Sequence, residues 1–159
     1  MYMQTVSILV DVQNIYYTTR DIYHRHFDYN AFWAKVMKDR TLVHANAYAI
    51  ARSDDKQKQF HNILRGIGFE VKLKPFIQRQ DGSAKGDWDV GIALDAIELA
   101  EISDVIVIAS GDGDFDLLAK RIQQRYGKKV EVYGVPGLTA NSLIEAADEY
   151  FPIQADLLL

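Results

Sequence analysis

Five short apolar runs recur along the chain: TVSILVD (5–11), VHANAYAIA (43–51), EVKLKPFI (70–77), DVIVIAS (104–110) and KVEVYGV (129–135). Their length, β-branched content and flanking turn residues predict strands. Between them lie segments with apolar residues at helical spacing: Tyr16 to about Lys38 with a break near Phe27, 54–68, 87–102 and 115–127. A last helix is expected over 140–151, before a short apolar tail. Gly68 and Gly127 each end a helical pattern just before a strand, the position of a C-cap. This alternation constrains the fold more than any other feature. Strands separated by helices pair in parallel through right-handed crossovers, and the helices then cover both faces of the sheet. The unbroken apolar run at 105–109 fits a central strand buried on both sides. The expected fold class is α/β, a Rossmann-like three-layer αβα sandwich around a mainly parallel five-stranded sheet. With 159 residues, 48% of them hydrophobic, the chain can bury one substantial core, so one domain over 1–159 is expected.

In such a sheet the ligand crevice lies beyond the carboxyl ends of the strands, where strand order reverses. The stretch IASGDGDFDLL sets Asp112, Asp114 and Asp116 just past the fourth strand, and Asp11 ends the first. If those strands are neighbours, Asp11, Asp112 and Asp114 converge. Converging carboxylates repel, and a hard divalent cation resolves the conflict. The chain has no cysteine, so any metal is held by oxygen or imidazole, and the donor set points to Mg²⁺ or Mn²⁺. Such an ion lowers the pKa of bound water and stabilises charge on a phosphoryl group.

Each acid also has a structural use. Asp114 is placed to cap the helix that follows, and Asp116 in its first turn favours the helix dipole. In KGDWDV, Asp87 and Asp89 compete for the start of the next helix, and Asp89 is preferred as ligand. Asp95, six positions further, is rotated well off the face of Asp89. Asn14 could cap a helix or hydrogen-bond a ligand water or phosphate. Lys85 is a loop lysine that could hold a phosphate. With Arg52, Lys72, Lys74 and Arg79 it borders the expected crevice and offers a local track for phosphates. The four histidines share no metal-ligand spacing. Tyr16, Tyr17, Tyr23, Phe32 and Trp33 have the spacing of helix faces packed on a sheet.

A formal net charge of -4 and a pI near 5.5 argue against a broad basic face for duplex DNA. No stretch approaches the ~18 continuous apolar residues of a membrane span, and the expected location is cytoplasmic. The first strand is followed by DVQNIYY, without the glycines of a dinucleotide fold, and there is no Walker A sequence. Gln13 stands where a haloacid-dehalogenase-type phosphatase carries its second aspartate, and the strand at 129–135 lacks the terminal lysine of a receiver domain.

Four segments in order, LVDVQN, KGDWDVGIALDA, SGDGDFDLL and LIEAADEYF, resemble the NYN domain of the PIN-like nuclease superfamily, in its bacterial LabA-like group. The resemblance covers nearly the whole chain. It implies the PIN-like strand order 3-2-1-4-5, an acidic pocket at the strand ends and a Mg²⁺- or Mn²⁺-dependent ribonuclease activity on RNA. By position, Asp11, Asn14, Asp89, Asp112 and Asp114 match the family's site residues. Asp11, Asp89, Asp112 and Asp114 are the expected metal ligands, with Asn14 and Lys85 on the substrate. Many relatives read KGVDV here, which leaves Asp87 and Asp89 both open as the ligand from this helix. A non-catalytic module binding RNA or a protein partner is the alternative, and a homo-oligomer is compatible with either.

Overall fold

The computed structural model describes residues 2–52, 54–75, 77–78, 84–85 and 87–159, leaving aside the side chains of 77–78 and 84–85. The elements follow as β1 (Gln4–Asp11), α1 (Val12–Tyr23), α2 (Tyr29–Met37), β2 (Arg40–Ala51), α3 (Asp55–Ile67), β3 (Glu70–Pro75), β4 (Ile77–Gln78), β5 (Ala84–Lys85), α4 (Asp89–Ala100), β6 (Val105–Ala109), α5 (Phe115–Tyr126), β7 (Lys129–Gly134), α6 (Asn141–Ala146), β8 (Glu149–Pro152) and a 3-10 turn at Ala155–Leu157. Six strands form one sheet in the order β3-β2-β1-β6-β7-β8. All five pairings are parallel. The short β4 and β5 pair antiparallel beside it.

The α/β expectation therefore holds, extended by one strand. β6 is buried at every position, as required of a strand flanked by β1 and β7 and covered on both faces. One core lies where Val6, Ile8 and Val10 of β1 meet Ile15, Phe32, Val36 and Leu64 from the first three helices. The other lies where Leu9, Ile106 and Ile108 meet Ile92, Ala96, Leu118 and Ile122 from α4 and α5. Strand alternation sends neighbouring residues of β1 to opposite layers, and this divides the core in two. Gly127 is left-handed at φ 64 with its N–H on Gln123 O, and Gly68, at φ 136, donates to Leu64 O. Both act as C-caps. No described helix is long and apolar enough to cross a membrane.

Two expectations need correction. The helical segment expected from Tyr16 to about Lys38 is divided near Phe27 as expected, but its first helix starts at Val12. The helix expected over 140–151 stops at Ala146, and 149–152 becomes the edge strand β8. Asp148 causes the switch. Its N–H bonds Val130 O at 2.9 Å, while its carboxylate accepts the Val130 N–H at 2.7 Å and Gln123 Nε2 at 2.9 Å. Phe151 then stacks on Tyr133 at 4.7 Å, and Pro152 disfavours helix in the residue before it.

Candidate functional site

β1 lies between β2 and β6. The chain winds outward from β1 to β3 and then returns to β6, so strand order reverses at the carboxyl ends of β1 and β6. Asp11 is the last residue of β1, and Val10 pairs with Ala109, the last of β6. The acids after each strand are thereby brought to one crevice. Ser110, fully buried, joins them: its Oγ donates to Asp11 Oδ2 at 3.1 Å and accepts the Asp112 N–H at 3.2 Å. Asp11 also caps α1 weakly, Oδ1 accepting the Asn14 N–H at 3.4 Å.

Asn14 ties the two halves of the site together. Its Oδ1 accepts the Gly111 N–H at 2.9 Å, across 97 residues of sequence. Gly111 must be glycine here, because a Cβ would strike the Leu138 carbonyl oxygen of the segment crossing behind it. Beyond it, Asp112 Oδ1 accepts the Asp114 N–H at 2.9 Å. The expectation that the Asp114 side chain caps α5 is not met. Asp114 holds the N-cap position in helical geometry and makes no side-chain capping bond. Its carboxylate is left over for another partner. Asp116 sits in the first turn of α5, as the dipole argument expects.

The start of α4 supplies the remaining acid. Asp87 Oδ1 accepts the Asp89 N–H at 3.2 Å, so Asp87 serves the helix start and the Asp89 side chain is not needed there. One carboxylate oxygen from each of Asp89, Asp112 and Asp114 lies within 4.8 Å of the others. Asp87 and Asp11 fall outside that group of three. Asp95 points away, its Oδ2 shared by Tyr48 OH and Lys72 Nζ, each at 2.8 Å.

Electrostatics register the crowding. Burial pushes the Asp89 carboxyl up to about 7, reinforced by its hydrogen bond and charge interaction with Asp112 and by the charges of Asp87 and Asp11. Asp11 is pushed up to about 6, mainly by burial, against the bonds from Asn14 and Ser110 that favour its charged form. Charge is therefore held at a cost in this crevice. A hard cation with oxygen preference removes that cost, and the all-carboxylate donor set fits Mg²⁺ or Mn²⁺.

Sequence reasoning missed Trp88. Its Nε1–H donates to Ala49 O at 2.9 Å and its ring lies 5.3 Å from Tyr48. This pins the first turn of α4 to the end of β2 and sets the position of Asp89. Lys74 holds the same turn from outside, with Nζ 3.0 Å from Asp87 O and 4.5 Å above the Trp88 ring. The available signal was Gly91, three residues after Trp88, where a Cβ would lie 2.7 Å from the indole. Tyr16 and Tyr17 depart from expectation: they are 44% and 39% exposed. The sheet-facing side of α1 is filled by Val12, Ile15 and Thr19, and Arg20 lies over both tyrosine rings. Phe32 packs as expected. The Lys85 side chain and all of Arg79 lie outside the described residues.

A cleft of about 320 Å³ at the opposite, amino-terminal end of the strands is lined by Gln4, Arg40, Lys129, Glu131, Asp148 and Glu149. Its buried charge is already paired, Arg40 clasping Glu131 through two bonds of 2.8 and 2.6 Å.

Comparison with known proteins agrees with this fold. The NYN domain family model matches residues 5–154. The Low amplitude and bright protein LabA of Synechococcus elongatus is 28% identical over 118 residues, which are 70% of this chain and 63% of that protein. The chain thus spans less than two thirds of that relative. The crystal structure of a protein of unknown function from Vibrio parahaemolyticus superposes with TM-score 0.95 at 61% identity, covering 99% of this chain and 97% of the other. A carbohydrate kinase from Agrobacterium tumefaciens shares the fold at 13% identity, with TM-score 0.53 over 94% of this chain and 60% of its own.

Proposed function

The chain belongs to the NYN domain family, and we propose that it is a metal-dependent endoribonuclease acting on single-stranded or structured RNA in the cytoplasm. NYN domains are part of the PIN-like nuclease superfamily, which makes a hydrolase the natural class. The observation that carries the reading is the trio Asp89, Asp112 and Asp114, with oxygens within 4.8 Å of one another at the switch point of the sheet. Among the described residues, no lysine or arginine neutralises this trio directly, whereas Asp95 has Lys72.

Asp89, Asp112 and Asp114 would hold the Mg²⁺ or Mn²⁺ ion. Asp11 would join directly or through a bound water. The ion would supply a water of lowered pKa and positive charge facing the phosphoryl oxygens. Asn14 positions the Gly111 backbone through Oδ1, and its Nδ2 group, engaged by no described residue, would orient the attacking water or a phosphate oxygen. Asp11, half-buried at the end of β1, would hold that water by hydrogen bond where it meets the ion through water. Lys85, four residues before Asp89 in the chain, would take a substrate phosphate.

One observation favours the alternative of a non-catalytic module. Lys72 and Lys74 are spent on Asp95 and on the Asp87 carbonyl, which removes two cations from the expected phosphate track. One experiment decides: purified protein incubated with mixed RNA, with and without Mn²⁺, beside Asp112→Asn. Mn²⁺-dependent cleavage lost in the variant supports the nuclease. Cleavage retained in Asp112→Asn indicates a contaminating enzyme, and no cleavage by wild type leaves the module.

A further inference from the structure

The helices that carry the acids also carry aliphatic side chains that no described residue covers. Val90 and Leu94 on α4 are 71% and 60% exposed, and Leu117 on α5 is 65% exposed. Four residues separate Val90 from Leu94, so they share one face. α4 and α5 run in the same direction against one sheet face, and their first turns are side by side, since Asp89 and Asp114 approach within 4.8 Å. One flank of α4 is turned outward to Lys72 through Asp95. One flank of α5 is turned to α6 through Gln123, which donates to Ala146 O and Asp148. The remaining flanks face each other. Counted from the shared end at 1.5 Å per residue, Val90, Leu117 and Leu94 succeed one another within about 6 Å along the axes.

The amino-terminal half of this helix pair is thus apolar on its outer surface. Its carboxyl-terminal half is charged and sorted by helix: α4 exposes Glu98 and Glu101 at its end, and α5 exposes Lys120, Arg121 and Arg125. Contiguous exposed aliphatics with a charged border mark an interaction surface. The sorting of charge says what kind.

We propose that this face is a homodimer interface in which α4 of one copy packs on α5 of the other, about a two-fold axis running along the helices. If the helices of the two copies are aligned, a two-fold axis can run across them or along them. With the axis across the helices, α4 meets α4 antiparallel. When the helices overlap over their full length, Val90 and Leu94 then lie over Glu98 and Glu101, and the cations of α5 face Leu117. With the axis along the helices, α4 meets the partner's α5 in the same direction. Val90 and Leu94 then meet the partner's Leu117, and Glu98 and Glu101 meet the partner's Lys120, Arg121 and Arg125. Symmetry makes each contact twice, as in any isologous interface. Of the two, this arrangement matches apolar to apolar and acid to base along its full length. It also leaves both acidic crevices open on the same rim of the dimer.

The test is the mass of the full chain across a dilution series, by light scattering and sedimentation velocity. A dimer of twice 18.1 kDa is expected. Leu94→Glu and Leu117→Glu, at exposed positions, are each expected to raise the dimer dissociation constant about tenfold or more, with circular dichroism unchanged. Glu98→Lys is expected to weaken the dimer, and Arg121→Glu added to it to restore it. This charge swap touches no apolar side chain and keeps the test independent of folding. A monomer at every concentration overturns the proposal, whether the face takes another protein or none. A dimer that survives both leucine variants overturns it as well, since the contact is then elsewhere.

Discussion

Asp112→Asn removes one charge from the three-carboxylate cluster while nearly preserving shape. The bond that the Asp112 side chain accepts from the Asp114 N–H at 2.9 Å can be kept by the asparagine carbonyl oxygen. Its own N–H stays on Ser110. What changes is repulsion. Two unit charges at 4.8 Å, the upper bound on the oxygen separations in the cluster, repel by about 3–4 kcal/mol at an effective dielectric of 20 and by about 1 kcal/mol in water. The site opens to solvent at Asp114, and Asp89 with its pKa near 7 is partly protonated at neutral pH. The relief is therefore near the lower figure, about 1 kcal/mol. In a chain of this size that raises the melting temperature by about 2–4 °C.

Metal separates the two proteins. For wild type, ~10 mM Mn²⁺ with a dissociation constant on the order of 1 mM stabilises by about 1.4 kcal/mol, a rise of roughly 3–6 °C. For Asp112→Asn that rise is expected to vanish. Thermal melts of both proteins in EDTA and in Mn²⁺ give four temperatures, with the metal-free variant at or above metal-free wild type. A variant that melts lower in EDTA yet keeps the full Mn²⁺ shift would show that Asp112 is a turn residue and that the cation argument is wrong.

Metal-free wild type should lose stability as pH rises. A carboxyl whose pKa is raised on folding stabilises fully below its unfolded value of about 4 and loses that contribution as pH passes through the folded value, here about 6 for Asp11 and about 7 for Asp89. Asp11 alone is worth about 2–3 kcal/mol between pH 4 and 7, and Asp89 contributes less than its higher pKa suggests, because solvent screens its charge; urea melts at pH 4 and pH 8 in EDTA read the sum, and equal midpoints would refute it. Trp88→Ala should cost about 2–3 kcal/mol and also reduce the Mn²⁺ shift, since the indole bond to Ala49 O sets Asp89; a destabilised variant with an undiminished shift would make Trp88 structural only. Glu131→Ala should cost about 3–5 kcal/mol, because it strands Arg40 in a partly buried setting, while leaving the Mn²⁺ shift intact; urea denaturation checks the first and the melts the second.

The architecture was readable from periodicity because its physics is local. Each buried strand needs an apolar run and each crossover helix an apolar stripe, and both leave their period in the chain. Parallel pairing then follows from connection length alone. β8 was not readable in this way. Residues 140–151 carry a helical spacing, and their division depends on Asp148 reaching Val130 and Gln123, partners that only the folded sheet brings near. Propensity lost to a tertiary hydrogen bond. The exposed Tyr16 and Tyr17 have a similar cause: aromatic spacing shows that a helix has a face, and only the small residues Thr18 and Thr19 beneath reveal which face is down.

The acidic crevice was legible for a topological reason. Residues that end parallel strands on either side of a switch point converge whatever lies between them, so Asp11 and Asp112 could be paired across about 100 residues with no contact information. Inside the crevice that argument has no further resolving power, since it brings every nearby acid to the same place. What separates Asp89 from Asp87, and Asp114 from a capping role, is the assignment of three backbone N–H groups. The Asp89 N–H goes to Asp87, the Asp114 N–H to Asp112, and the Asp112 N–H to Ser110. Each bond occupies one acceptor and leaves the next carboxylate unspent. The acids without a backbone duty are Asp89 and Asp114. Asp112 keeps its second oxygen, which is how the three come to face one another within 4.8 Å. The cluster is what remains after the loops have satisfied their own donors, and its charge is therefore available to a cation.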